Sequence, residues 1–176
     1  MLIYHMVQKC SVINVLEVFF IEPTSIHFIK EISRKINLAP TSVRVHIADL
    51  FEKGLIIKKE SRPFDGYIAN IENDLFSLYK RAYNLITLKN LQEKLAEVLD
   101  PEVISAFGAY SLGKDTESSE INILIISKVK KKINLDEFEQ VLNRKIKIII
   151  IDEFSNLDKD IQEKVANGFV IHGGFK

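Results

Sequence analysis

Residues 103–126, VISAFGAYSLGKDTESSEINILII, decide the reading of the second half of the chain. Two apolar runs, Val103–Phe107 and Ile121–Ile126, read as strands. Between them Gly108-Ala109-Tyr110-Ser111-Leu112-Gly113 reads as a turn bounded by glycine. Downstream, Asp136–Asn143 is expected as a short helix and Ile146–Ile151 as a third strand. The near-continuous isoleucine of that strand predicts burial on both faces. Asp158–Asn167 closes with a helix, and Phe169–His172 is a last short strand. Strands alternating with helices imply an α/β layer.

Upstream the period is helical. Val12, Ile13, Leu16, Phe19 and Phe20 recur at helix spacing, and Pro23 ends that segment. Thr24 and Ser25 are N-cap types for a second helix with Ile29, Ile32 and Ile36 on one face. Asn37-Leu38-Ala39 breaks the pattern, and Pro40 suits the first position of a third helix, where its missing N–H costs nothing. Val43, Ile47, Leu50 and Phe51 form the inner face of that helix, and Gly54 ends it. Strands at Leu55–Glu60 and Tyr67–Asn70 flank the turn Arg62-Pro63-Phe64-Asp65-Gly66. Asp74–Leu99 lacks Gly and Pro and reads as one helix of about 39 Å at 1.5 Å per residue. Its apolar stripe drifts, which fits a connector or a dimer seam. The expected organisation is residues 1–73, a linker or dimerisation helix 74–100, and residues 101–176, of mixed α/β (α+β) class.

Composition bounds the function. The 176 residues carry 24 Lys plus Arg against 24 Asp plus Glu, with 47% hydrophobic and 27% charged residues. That is a folded chain, not a disordered or low-complexity one. The single cysteine, Cys10, excludes an internal disulfide and a cysteine zinc cage, which suits a reducing, cytoplasmic setting. No apolar run reaches the roughly 18 residues of a membrane span, so no membrane partner is expected. Met1–Phe20 is interrupted by Gln8, Lys9, Asn14 and Glu17 and makes a poor signal peptide. Charge is nonetheless uneven: from Lys30 to Arg62, eight basic residues face four acidic ones. His27 and His46 read as ordinary surface or partly packed residues without a ligand cluster, and His172 as a tail residue.

The order helix, helix, break, helix, hairpin over residues 10 to 70 resembles the winged helix-turn-helix domains of prokaryotic, especially archaeal, transcription regulators. Phe28-Ile29-Lys30-Glu31-Ile32-Ser33, Thr41-Ser42-Val43-Arg44 and Leu50-Phe51-Glu52-Lys53-Gly54-Leu55-Ile56 carry the likeness. The resemblance implies double-stranded DNA as partner, with the third helix in the major groove and the hairpin on the backbone or minor groove. Thr41, Ser42, Arg44, Val45 and Ala48 would face the DNA, Arg44 pairing with guanine, while Lys58, Lys59 and Arg62 of the hairpin would meet phosphate. A homodimer is expected, because a single weakly basic domain binds weakly and a two-fold pair reads two half-sites.

Gly108–Gly113 together with Ser118-Ser119-Glu120-Ile121-Asn122-Ile123-Leu124-Ile125 is similar to the minimal nucleotidyltransferase domains of polymerase-beta type. Gly168-Phe169-Val170-Ile171 echoes their ending. In that family a Gly-Ser turn approaches a triphosphate, and two Asp at i and i+2 of a strand hold divalent metal with a third carboxylate from the next strand. Gly108, Ala109, Tyr110 and Gly113 are thereby candidate nucleotide-binding residues. The site positions depart from the pattern: Ala109 replaces the serine, Glu120 the first Asp and Asn122 the second. Register puts Lys147 at the third, with Asp152 and Asp115 as fallback carboxylates. One negative and one positive charge do not hold a divalent cation. Neither metal nor other cofactor is therefore expected, and the domain reads as a degenerate one used for dimerisation, partner binding or nucleotide sensing. The alternatives are a magnesium- and nucleoside-triphosphate-dependent transferase acting on protein, tRNA or a small molecule, or an antitoxin-like protein partner.

Overall fold

The computed structural model describes residues 10–62 and 64–175; Met1–Lys9, Pro63 and Lys176 lie outside it, and with them the first nine residues of the segment read against a signal peptide and the proline of the hairpin turn. The chain divides into two compact units, Met1–Ser77 and Leu78–Lys176, of mixed α/β structure with two separate sheets. Among the described residues no helix is long and apolar enough to cross a membrane.

The first unit contains α1 (Ser11–Ile21), α2 (Ile29–Lys35), α3 (Pro40–Glu52) and the hairpin β1 (Ile56–Lys59) with β2 (Gly66–Ala69), followed by the start of α4 (Asp74–Thr87). Its core gathers Val15, Phe19, Ile32, Val43, Ile47, Leu50, Leu55, Ile56 and Phe76, all essentially without solvent exposure. Pro40 opens α3, as its fixed φ predicts. Two expectations change. The second helix begins at Ile29, not at Thr24 and Ser25, because His27 is extended and exchanges backbone hydrogen bonds with Tyr67 at 2.8 and 2.9 Å. The Glu31 carboxylate then accepts the Phe28 N–H at 3.3 Å and caps the later start. Phe51 is half exposed; its ring meets the edge of Tyr67 at 6.5 Å instead of entering the core.

The second unit is a four-stranded sheet in the order β5-β4-β3-β6. Its elements are α5 (Lys89–Leu99), β3 (Val103–Phe107), β4 (Ile121–Ile126), α6 (Asp136–Leu142), β5 (Ile146–Ile151), α7 (Lys159–Ala166) and β6 (Phe169–Gly173). β3 pairs antiparallel with both β4 and β6, whereas β4 and β5 are parallel and joined through α6. Alternation along the strands sorts the side chains into two layers. Ile104, Ala106, Ile121, Ile123, Ile125 and Ile146 pack with Leu88, Leu91, Leu95 and Leu99. Phe107 and Leu124 pack with Val165 and Ile161 of α7 on the opposite face. Gly168 permits the α7–β6 corner: a Cβ there would lie 2.2 Å from the Ala106 carbonyl oxygen.

The expected single helix 74–99 is two helices that meet at Leu88. Thr87 Oγ1 donates to the Asn84 carbonyl at 2.9 Å, a side-chain bond that competes with the helical ladder just before the break. Leu88 is then fully buried, and α5 belongs to the core of the second unit, not to a free linker. The drift of the stripe has this cause: its second half faces the sheet, while Leu75, Leu78, Tyr79 and Leu85 of α4 stay exposed. β5 is likewise not buried on both faces. It is an edge strand, and Lys147 is exposed on it.

Candidate functional site

In the first unit α3 presents two different faces. Val43, Ile47 and Leu50 at helical spacing are buried, which turns Thr41, Arg44, Val45 and Ala48 outward, with Ser42 half-buried at the rim. Lys58, Lys59 and Arg62 of the hairpin are exposed as well. Lys58 is engaged, its ammonium 2.6 Å from the Asp65 carboxylate across the hairpin. That hydrogen bond holds Lys58 above the ordinary lysine value and Asp65 below the ordinary carboxylate value. Contact between Lys58 and a phosphate therefore requires giving up an existing partner.

In the second unit, the antiparallel register sets Phe107 opposite Asn122 and the parallel register sets Asn122 opposite Lys147. The turn after β3 consequently sits beside the start of β4: a Cβ on Gly108 would be 3.3 Å from Asn122 Nδ2. Gly108 and Gly113 have φ of 81° and 68°, a region that favours glycine, and Ser111 Oγ donates to the Gly108 carbonyl at 2.8 Å to close the turn. Glu120, Asn122 and Lys147 thus form one group, and Lys147 Nζ lies 2.8 Å from Glu120 Oε2. An ammonium already neutralises the group's one carboxylate, so these residues do not fit the divalent ion that the resemblance implies. Ala109, exposed, adds no hydroxyl. A cleft of about 440 Å³ lies beside the turn, lined by Gly108, Leu112, Asp160, Glu163, Lys164 and Asn167.

Neither fallback carboxylate joins the group. Asp152 pairs with Lys130 at 3.2 Å and lies just past the end of β5, five residues and about 16 Å from Lys147 at the rise of a strand. Asp115 is buried beneath the turn. Its carboxylate lies 3.2 Å from Lys80 Nζ and 3.5 Å from Arg144 Nη2, and it accepts from Asn84 Nδ2 at 2.8 Å. Lys80 Nζ also donates to the Asp115 carbonyl, and Asn84 Nδ2 to the Tyr110 carbonyl at 2.8 Å. Burial outweighs the attraction of Asp115 and lowers Lys80 below the ordinary lysine value. Burial also pushes the Tyr110 hydroxyl, hydrogen-bonded to Thr87 Oγ1 at 2.9 Å, up to about 12. Tyr110 is therefore a packed support of the turn and not a ring open to a nucleotide base.

Sequence reasoning missed this cluster because Lys80 and Asn84 sit in an apparently amphipathic helix, where polar residues read as solvated. The i, i+4 spacing of Lys80 and Asn84 was the available signal. It also missed His27, which is fully buried, while His46 Nε2 lies 2.8 Å from Ser11 Oγ and His172 Nδ1 3.3 Å from Gln92 Nε2. Among the described residues, the one group of His and carboxylate ligand atoms close enough to share a metal ion is Glu22, His27 and Glu31, in the first unit. The chain matches no family model, no curated protein and no solved structure.

Proposed function

We propose that the protein is a DNA-binding transcription regulator in which a winged helix-turn-helix unit reads the DNA. In this reading the second unit is a degenerate nucleotidyltransferase-like domain that binds a partner or a nucleotide without transferring it. The observation that carries the reading is the outer face of α3. Thr41, Arg44 and Val45 are exposed on a helix whose other face is anchored by three buried aliphatic residues, and a basic hairpin follows directly. That combination supports a helix entering a major groove with flanking phosphate contacts. Leu75, Leu78 and Leu85 are exposed on α4, and with Ala82 they follow 3-4-3 spacing, which supports a two-fold pairing of two chains.

A gel-shift series on genomic fragments tests the DNA reading. Arg44→Ala is expected to cost about 1–3 kcal/mol at the preferred sequence and to relax preference there. Lys59→Ala or Arg62→Ala should weaken all sequences alike and flatten the salt dependence by about one unit for each phosphate no longer neutralised. Unchanged binding after Arg44→Ala rejects α3 as the reader. Light scattering that returns a monomer at tens of micromolar rejects the pairing. For the second unit, labelled nucleotides with magnesium or manganese should yield no transfer. Turnover abolished by Glu120→Ala would replace the reading with the enzyme.

A further inference from the structure

Three donor atoms of the first unit, on Glu22 after α1, His27 and Glu31 of α2, lie within 4.8 Å of one another. His27 Nε2 is 2.9 Å from the Glu22 carbonyl oxygen. A carbonyl can only accept, so Nε2 carries a hydrogen; Nδ1, within hydrogen-bonding reach of the Glu31 carboxylate, presents a lone pair to a metal once it carries no proton. Nδ1 faces Glu31 Oε1 at 3.4 Å and Glu22 Oε2 at 3.9 Å. Three acceptors that converge in this way are stable around a cation. Lys35 brings one, its Nζ 2.6 Å from Glu22 Oε2 and 3.0 Å from Glu31 Oε1. The Lys35 side chain is two-fifths exposed and can withdraw into solvent.

The spacing and the supports suit a metal ion. Donors held about 2.0–2.2 Å from a tetrahedral ion lie roughly 3.3–3.6 Å apart. The 3.4 Å separation already meets this; the 3.9 Å separation, and that between the two carboxylates, which lie within 4.8 Å of each other, close by rotation of Glu22, whose side chain is one-third exposed. A ring N–H donated to a backbone carbonyl is the arrangement that orients ligating histidines. The His27 ring is buried at the edge of Phe19, 5.1 Å between centroids, so its direction is held by packing as well.

We propose that Glu22, His27 and Glu31 bind one divalent transition-metal ion, zinc being the best match to an imidazole and two carboxylates, in competition with the Lys35 ammonium. The ion ties the end of α1 to α2 and, through the backbone pairing of His27 with Tyr67, to β2. The site rests on its own geometry and stands whether or not α3 reads DNA.

Calorimetric titration of the untagged full chain with zinc chloride, and absorption titration with cobalt chloride, test it in a Cys10→Ser background that removes the exposed thiol. One ion per chain is expected, with cobalt ligand-field bands and a thermal midpoint that rises with zinc. Glu31→Gln should weaken binding roughly tenfold or more. Lys35→Gln should tighten it, because the competing ammonium is gone; a purely structural salt bridge would show lost stability and no gain in metal affinity. His27→Gln should abolish binding, and if that buried substitution prevents folding, the Glu31 and Lys35 variants decide. Absence of saturable binding in both the Cys10→Ser and the Lys35→Gln proteins overturns the proposal, as does zinc binding that Glu31→Gln leaves unchanged.

Discussion

Two lysine–carboxylate pairs in the second unit have similar distances and opposite meanings. Lys147–Glu120 spans 2.8 Å at the edge of the sheet, with side chains 66% and 41% exposed; Lys80–Asp115 spans 3.2 Å beneath the turn, with both side chains 1% exposed. Water competes for the first pair, screens it and compensates its loss, so little stability depends on it. The second pair has no water to fall back on, and its desolvation is offset by buried partners: Arg144 and Asn84 on the carboxylate and the Asp115 backbone carbonyl on Lys80. The first pair is a surface group whose charges can each turn to solvent instead of to one another. The second is internal and shapes the surface above it.

Removing the centre of the buried cluster should have the largest effect. Asp115→Ala leaves the Lys80 and Arg144 charges without their shared carboxylate, and urea unfolding followed by circular dichroism should show a loss of about 3–5 kcal/mol. A loss below about 1 kcal/mol would mean that the buried and exposed pairs are energetically alike and that burial does not distinguish them.

Tyr110 gives a pH-dependent test of the same interior. Its hydroxyl is held at about 12 in the folded chain against an ordinary value of 10.0. Between those values the unfolded chain releases the proton and the folded chain keeps it. Its contribution is thus fully present below pH 10 and is lost as pH rises through 12. Two units correspond to on the order of 2–3 kcal/mol. Wild type should therefore lose more stability than Tyr110→Phe across that window, and equal slopes would show that the ring is not shielded by the cluster.

The smallest effect belongs to the exposed pair. Lys147→Ala should change stability by about 0–1 kcal/mol. If instead it destabilises the unit as strongly as Asp115→Ala, the sheet edge is structural, and its use as a ligand-facing group must be abandoned.

What could be read from the sequence depends on the range of the interactions involved. Val103–Phe107, Ile121–Ile126 and Ile146–Ile151 could be bounded from their own residues, because a short apolar run between turn signals is a local pattern. The placement of Lys147 opposite Asn122 could be read too, since matching apolar runs in two strands restricts their register. The start of α2 could not: Thr24 and Ser25 are good caps, but pairing of His27 with Tyr67, forty residues away, holds that stretch extended. Long-range pairing outweighed a local preference worth about 1 kcal/mol.

Residue chemistry and short spacing were enough to place most helices and strands and to bound the turn 108–113 with glycine. These are properties of neighbouring residues, and the chain carries them whether or not it is folded. Folding in three dimensions was needed to bring α5 over the sheet, to leave β5 at its edge, to make Asp115 an internal hub, and to converge Glu22, His27 and Glu31. Burial and charge pairing there depend on residues brought together from separate elements of the chain, and a periodic pattern shows that a residue faces inward without showing what it meets.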